Sequence, residues 1–357
     1  MQVDSSRVMR VGAAMSVDVA ILNYNGMETL ELTLRSVFAS TNIEIGRVYV
    51  VDDGSTDGSQ EIAKTFDRVT VIQLPENTGR VNLVRNTGVR AAGTDRVLVT
   101  DNDIEFMPDC LEKLNAVMDE GEDIVAVTPR LLYMDDRERI YLDSCGFHYV
   151  GASIARNRHK LMKDVDTQLS PVPTMSSGIL LLNKKILQDG SCFDESLPFS
   201  WGTDGEFYYR MMFTGHRCLM NPRALAFHKD KKRSVERAEG HVTTRWYMLL
   251  TYYSWKTLLL LIPVLILYEL LQFGFFTIKR IPHLYIKYNW LNVLRLKNTM
   301  KNRKKIQAQR KIQDKEILGA EDLYISPNLI ENPLFRYPFA CLNLFLKGYW
   351  GMIKAWI

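Results

Sequence analysis

The chain has 357 residues, of which 46% are hydrophobic, 24% charged and 10% aromatic. This globular balance excludes wholesale disorder and a polytopic membrane protein, and the length exceeds what one hydrophobic core comfortably serves, so two modules are expected. The net charge of +4 averages unlike parts: residues 279–315 hold twelve Lys or Arg against Asp314 alone, and residues 1–278 are net acidic.

Near the N-terminus, Asp4 and Arg7 interrupt any apolar leader, so no secretory signal is expected. The first half then alternates β-rich and helical runs. Strands are predicted at 17–22, 47–51, 69–72 and 96–100, with helices at 27–38, 59–66 and 81–92 between them. That alternation means βαβ units and a mainly parallel sheet flanked by helices, with ligands at the carboxyl ends of its strands. Residues 124–127 and 178–182 read as further strands, and 205–214 as a helix closed by Gly215. Five cysteines (110, 145, 192, 218 and 341) show no metal-finger spacing and read as reduced, mostly buried thiols of a cytosol-facing protein.

Beyond residue 240 the texture changes. From Thr257 to Ile278 only Glu269 and Gln272 are strongly polar. At about 1.5 Å per residue such a run reaches across a bilayer's hydrocarbon, although Pro263 and Glu269 also suit a kinked or in-plane helix. Trp246, Tyr247, Tyr252, Tyr253 and Trp255 precede it, and Lys279 and Arg280 follow, as at a membrane interface. The division expected is therefore a catalytic domain over 1–240 and a helical, aromatic and basic membrane-associating region over 241–357. Basic stretches also bind nucleic acid, but this one directly follows an aromatic-apolar segment, which favours anionic lipid.

Three acidic turns carry the chemistry. Asp52-Asp53-Gly54-Ser55-Thr56-Asp57-Gly58 follows the second strand, where a carboxylate can accept from a nucleobase or ribose. Asp101-Asn102-Asp103 follows the fourth, where two acids can hold a hard divalent cation that neutralises a diphosphate. Trp201-Gly202-Thr203-Asp204-Gly205-Glu206 opens a helix, where an acid can deprotonate an acceptor hydroxyl. Each pattern alone also fits a plain helix cap or a solvated acid. His228, after an apolar run, is an available imidazole ligand.

Taken in order, Leu22-Asn23-Tyr24-Asn25-Gly26, Asp52 to Ser59, Glu76-Asn77-Thr78-Gly79, Asp101-Asn102-Asp103 and Phe193-Asp194-Glu195 before Gly202-Thr203-Asp204 resemble a family 2 glycosyltransferase of GT-A fold. The resemblance covers about residues 15–230, and the tail is similar to prokaryotic cell-envelope glycan enzymes. It implies that Leu22, Asn23, Tyr24, Asn25, Asp53, Asn77, Gly79 and Asp101 hold a nucleotide-sugar. It also implies that Asp101, Asp103 and His228 hold Mn2+ or Mg2+, and that Asp204 is the catalytic base. Ser177, Gly178, Trp201 and Glu206 fall on the acceptor side. Thr203 stands where the family commonly has Glu, which makes Glu206 a substitute base to be tested against Asp204. The implied activity is inverting, metal-dependent transfer of a hexose or deoxyhexose to a glycan or lipid-linked acceptor at the cytoplasmic face of the cell membrane. A homo-oligomer is left open. Rival readings are a sugar nucleotidyltransferase, which would normally carry a Gly-rich basic loop near its N-terminus, and a non-catalytic membrane scaffold.

Overall fold

The computed structural model describes residues 16–171, 178–187, 192–197, 203–230, 237–323 and 336–357. The first elements are β1 (Ser16–Asn23), α1 (Leu30–Phe38), β2 (Glu44–Asp52), α2 (Ser59–Lys64), β3 (Val69–Gln73), α3 (Val81–Ala91), β4 (Arg96–Asp101), β5 (Ile104–Phe106) and α4 (Cys110–Met118). They are followed by β6 (Ile124–Tyr133), β7 (Ile140–Leu142), β8 (Cys145–His148), β9 (Ser153–Ala155), β10 (Ser170–Pro171), β11 (Leu180–Asn183), α5 (Thr203–Phe213) and β12 (Arg217–His228). The remainder comprises α6 (Arg237–Tyr252), α7 (Trp255–Ile278), α8 (Pro282–Gln307), α9 (Asp314–Ile317), β13 (Leu318–Gly319) and α10 (Arg336–Ile353).

The large sheet runs β10-β12-β6-β11-β4-β1-β2-β3, with β5 on β12 and β7 on β6. β4, β1, β2 and β3 are mutually parallel, as the βαβ alternation requires. The sheet as a whole is mixed, because β11 enters antiparallel between β4 and β6. Val17, Val19, Ala20 and Ile21 of β1 are all buried, as befits a central strand covered on both faces. Gly88 permits α3 to lie close: a Cβ there would come within 2.6 Å of the Ala20 side chain.

A second core joins the expected membrane region to the catalytic body. Phe147, Tyr149, Tyr209 and Phe213 pack with Tyr252, Tyr253, Leu261, Leu346 and Trp350. Tyr149 stacks on Trp350 at 5.0 Å between ring centroids, and its hydroxyl donates to the Leu346 carbonyl at 2.9 Å. β13 adds a parallel strand to β8. The expected boundary at residue 240 falls inside α6, and the tail packs as part of the folded body.

The last turn of α6 ends against α8. Its orphan carbonyls need donors, and Arg303 donates to Leu250 and Tyr253 while Gln307 donates to Thr251 and Tyr252. α7 is the one helix among the described residues long and apolar enough to cross a membrane. Leu258, Leu261, Val264 and Leu265 are buried, whereas Leu259, Ile262, Ile266, Leu270 and Leu271 are exposed. Ile286, Trp290, Val293 and Leu294 of α8 and Leu344 and Met352 of α10 are exposed as well.

Candidate active site

The carboxyl ends of β1, β2 and β4 lie side by side, with Asn23 paired to Asp52 and Leu22 paired to Asp101. The first two turns are knitted together by side chains. The Asn23 amide donates to Asp52 at 2.6 Å and Ser59 at 2.9 Å, and its oxygen accepts from Asn102 at 2.7 Å. Asn23 is fully buried, and these bonds brace the three turns. Asn25 sits in the left-handed region (φ 49°) and accepts from the Thr56 N–H. Tyr24 is about half exposed, Leu22 partly buried.

Asp53 accepts from the Thr78 N–H at 3.0 Å, its hydroxyl at 2.7 Å and the Gly79 N–H at 3.2 Å. It therefore fixes the Glu76–Gly79 loop against β2. Asn77 is exposed and accepts from Gly79 at 2.8 Å. Gly54 is obligatory on two counts: φ is +75°, and a Cβ would lie 2.5 Å from the Asn77 nitrogen.

The two acids after β4 separate. Asp103 turns toward His228, with Oδ1 at 3.8 Å from Nε2. The His228 ring stacks on Tyr141 at 4.4 Å. Asp101 turns instead to Arg85 of α3, at 3.2 Å. Among the described residues no group of three His, Cys, Asp or Glu converges as a ready cation site. Of the three expected ligands, Asp103 and His228 come together, and Asp101 is engaged by a guanidinium.

Asp204 stands in the first turn of α5 and is ion-paired to Arg85. Arg85, which the sequence reading missed, bridges Asp204 and Asp101 while only 5% exposed, and its guanidinium carbon lies 5.3 Å from the Phe193 ring centre. Burial raises the Asp204 carboxyl above its ordinary value; Arg85 opposes this and the Asp101 charge adds to it. Arg85 is held charged, since its two carboxylates together outweigh its burial. Gly178 is buried, and a Cβ there would overlap the Arg85 guanidinium, so a side chain at this position would displace that group.

Glu206 does not share the cleft with Asp204. Two helical residues differ by about 200°, so the acids leave α5 on opposite sides. Glu206 is fully buried and accepts from Arg210 at 2.9 Å and from the Tyr252 hydroxyl. It joins α5 to α6 through these two bonds. Ser177 and Trp201 lie outside the described residues.

Residues 18–190 match the model of glycosyl transferase family 2. They form a family 2 glycosyltransferase domain. Chondroitin synthase of Escherichia coli is 25% identical over 251 residues, covering 63% of this chain and 36% of that protein. Succinoglycan biosynthesis protein ExoU of Rhizobium meliloti (strain 1021) is 30% identical over 122 residues, covering 33% of this chain and 34% of that protein. The chain thus spans about a third of the length of either relative. Among solved structures, GalNAc-T7 with UDP, GalNAc and Mn2+ superposes with a TM-score of 0.55 at 16% identity, over 69% of this chain and 49% of that one. The likeness establishes the GT-A fold for the transferase domain, with a helical C-terminal region after it.

Proposed function

We propose that the chain transfers a sugar, with inversion, from a nucleotide-diphospho-sugar to a hydroxyl of a glycan or lipid-linked acceptor of the cell envelope. The observation that carries this reading is Arg85 bridging Asp101 and Asp204 at the carboxyl edge of the sheet, next to the Asp53-anchored loop. A raised carboxyl suits proton removal near neutral pH. Asp204 takes the acceptor hydroxyl's proton as its oxygen bonds to the anomeric carbon. The bond from that carbon to the diphosphate breaks on the opposite face, and the electron pair leaves with the nucleotide. No covalent enzyme intermediate is needed.

Asp103 and His228 would hold a divalent cation, their carboxylate and imidazole donors suiting Mn2+ or Mg2+. Such an ion would stabilise negative charge on the leaving diphosphate. The GalNAc-T7 structure holds UDP and Mn2+, which makes UDP-sugars the first donors to try.

The exposed apolar residues of α7, α8 and α10, with Lys279, Arg280 and Lys287 beside them, support attachment to the cytoplasmic face of an anionic membrane. The deciding experiment is a thermal-shift screen of UDP-, dTDP- and GDP-sugars with Mn2+. A donor stabilising the wild type but not Asp103→Asn supports the reading. No shift with any nucleotide sugar counts against it.

A further inference from the structure

A second site lies away from the acidic turns. Between α6, α8 and the Asp194–Leu197 segment is a cavity of about 400 Å³. Arg295, Lys301 and Lys305 line it, and among the described residues no carboxylate does. The Asp194 carboxylate behind the wall is occupied by the Tyr247 hydroxyl at 3.0 Å and the Ser196 N–H at 2.8 Å. Glu239, the acid that acts on Arg295, is outside the lining too. Three cations around one hollow, with no acid among them, repel one another and attract an anion.

The neutral lining repeats the message. Trp246 Nε1 and Asn292 Nδ2, on residues of the cavity lining, have no hydrogen-bond acceptor among the described residues. The Asn302 amide donates across the wall to Ser196 at 3.3 Å. Three cations around one hollow exceed what the single charge and two oxygens of a carboxylate balance. A phosphate offers three terminal oxygens and more charge. The volume leaves room for the group that carries the phosphate.

We propose that this cavity binds a phosphate group, separately from the nucleotide diphosphate of the transfer reaction. The segment bordering it is tied to α3, the helix of Arg85: Asn82 donates to the Asp194 carbonyl at 2.8 Å and Arg80 to the Glu195 carbonyl at 2.8 Å. An occupant there sits against the segment that packs on the helix supporting the acidic turns. The phosphate could be a lipid headgroup or a soluble phosphate ester, and the chemistry of recognition is common to both.

The test uses the full chain in detergent and inorganic phosphate, at ionic strength held constant with chloride. Trp246 is the reporter. Phosphate should change tryptophan emission saturably in the wild type, and the change should vanish in Trp246→Phe. In Lys301→Ala/Lys305→Ala, both exposed positions, affinity should fall at least about tenfold, as for lost charge-assisted contacts. Asp103→Asn should leave it intact. No saturable change overturns the proposal, as does unaltered affinity in the double lysine variant or loss in Asp103→Asn, which would move the phosphate to the donor site. Phosphatidylcholine vesicles with and without phosphatidic acid then assign the source. Co-sedimentation that needs phosphatidic acid, is displaced by phosphate and is lost in the double variant supports a lipid headgroup. Phosphate binding with no such sedimentation supports a soluble ester.

Discussion

Replacing Arg85 by Met tests the central ion-pair bridge without any substrate. Arg85 is 5% exposed, and the Asp204 and Asp101 side chains are 14% and 27% exposed. Removing one partner of a buried pair costs about 3–5 kcal/mol, because the remaining charge stays buried. That corresponds to roughly two to four decades in the folded-to-unfolded ratio, at about 1.36 kcal/mol per decade. The sign with pH follows from the raised Asp204 carboxyl: folded protein holds that proton more tightly than unfolded protein. Its contribution to stability is complete below the unfolded value of about 3.9 and declines as pH rises through the folded value. With Arg85 gone the folded value climbs further, so the Arg85→Met penalty should be small near pH 4 and grow toward pH 7. Adding Asp204→Asn should recover most of the loss at pH 7. Urea unfolding of the full chain in detergent, followed by tryptophan emission at several pH values, measures this. A penalty independent of pH, or one untouched by Asp204→Asn, would refute the reasoning.

Three further outcomes are expected. Asp204→Asn should abolish sugar transfer while leaving nucleotide-dependent thermal stabilisation largely intact, and wild-type turnover by the purified variant would remove Asp204 as base. Gly178→Ala should displace the Arg85 guanidinium and reproduce part of the Arg85→Met penalty, again largest near pH 7 in urea unfolding. A chain cut after residue 240 should fail to fold, because Tyr209 and Phe213 would lose Tyr252, Tyr253 and Trp350; a soluble fragment with a cooperative melt would contradict this.

The sheet's first half was legible because β1 to β4 are short β-rich runs between amphipathic helices, and only parallel crossovers connect such units. The direction of β11 was not legible, since a short apolar run reads the same in either direction. Arg85 left a readable trace. On α3 it shares a buried stripe with Asn82, Val84, Asn86 and Val89, and a charge at such a position marks a buried partner. The separation of Asp204 and Glu206 was legible too, because helix periodicity alone puts positions 204 and 206 on opposite sides. Phe207, Tyr208, Tyr209 and Phe213 make α5 apolar nearly all round, the mark of a helix packed between two layers, and that pointed to the second core.

The basic stretch deserves a different division from the one its net charge suggests. Arg303 is buried, spends its donors on α6 carbonyls and lies over Trp255 at 4.0 Å. Arg310 pairs with Asp314 at 2.9 Å and also donates to the Tyr252 carbonyl. Asp314, the single acid of the stretch, accepts from the Ser254 N–H and the Thr257 hydroxyl, which places negative charge at the N-terminus of α7. These three residues build the joint between α6 and α7, where one helix presents bare carbonyls and the next bare N–H groups. Arg295, Lys301 and Lys305 border the cavity beside α6. The charges left for a membrane surface are those on the outside, among them Lys279, Arg280, Lys287, Lys297 and Lys304. A stretch that reads as one cationic belt therefore combines a helix joint, a proposed phosphate cavity and a smaller outward face, and only the last should answer to lipid charge alone.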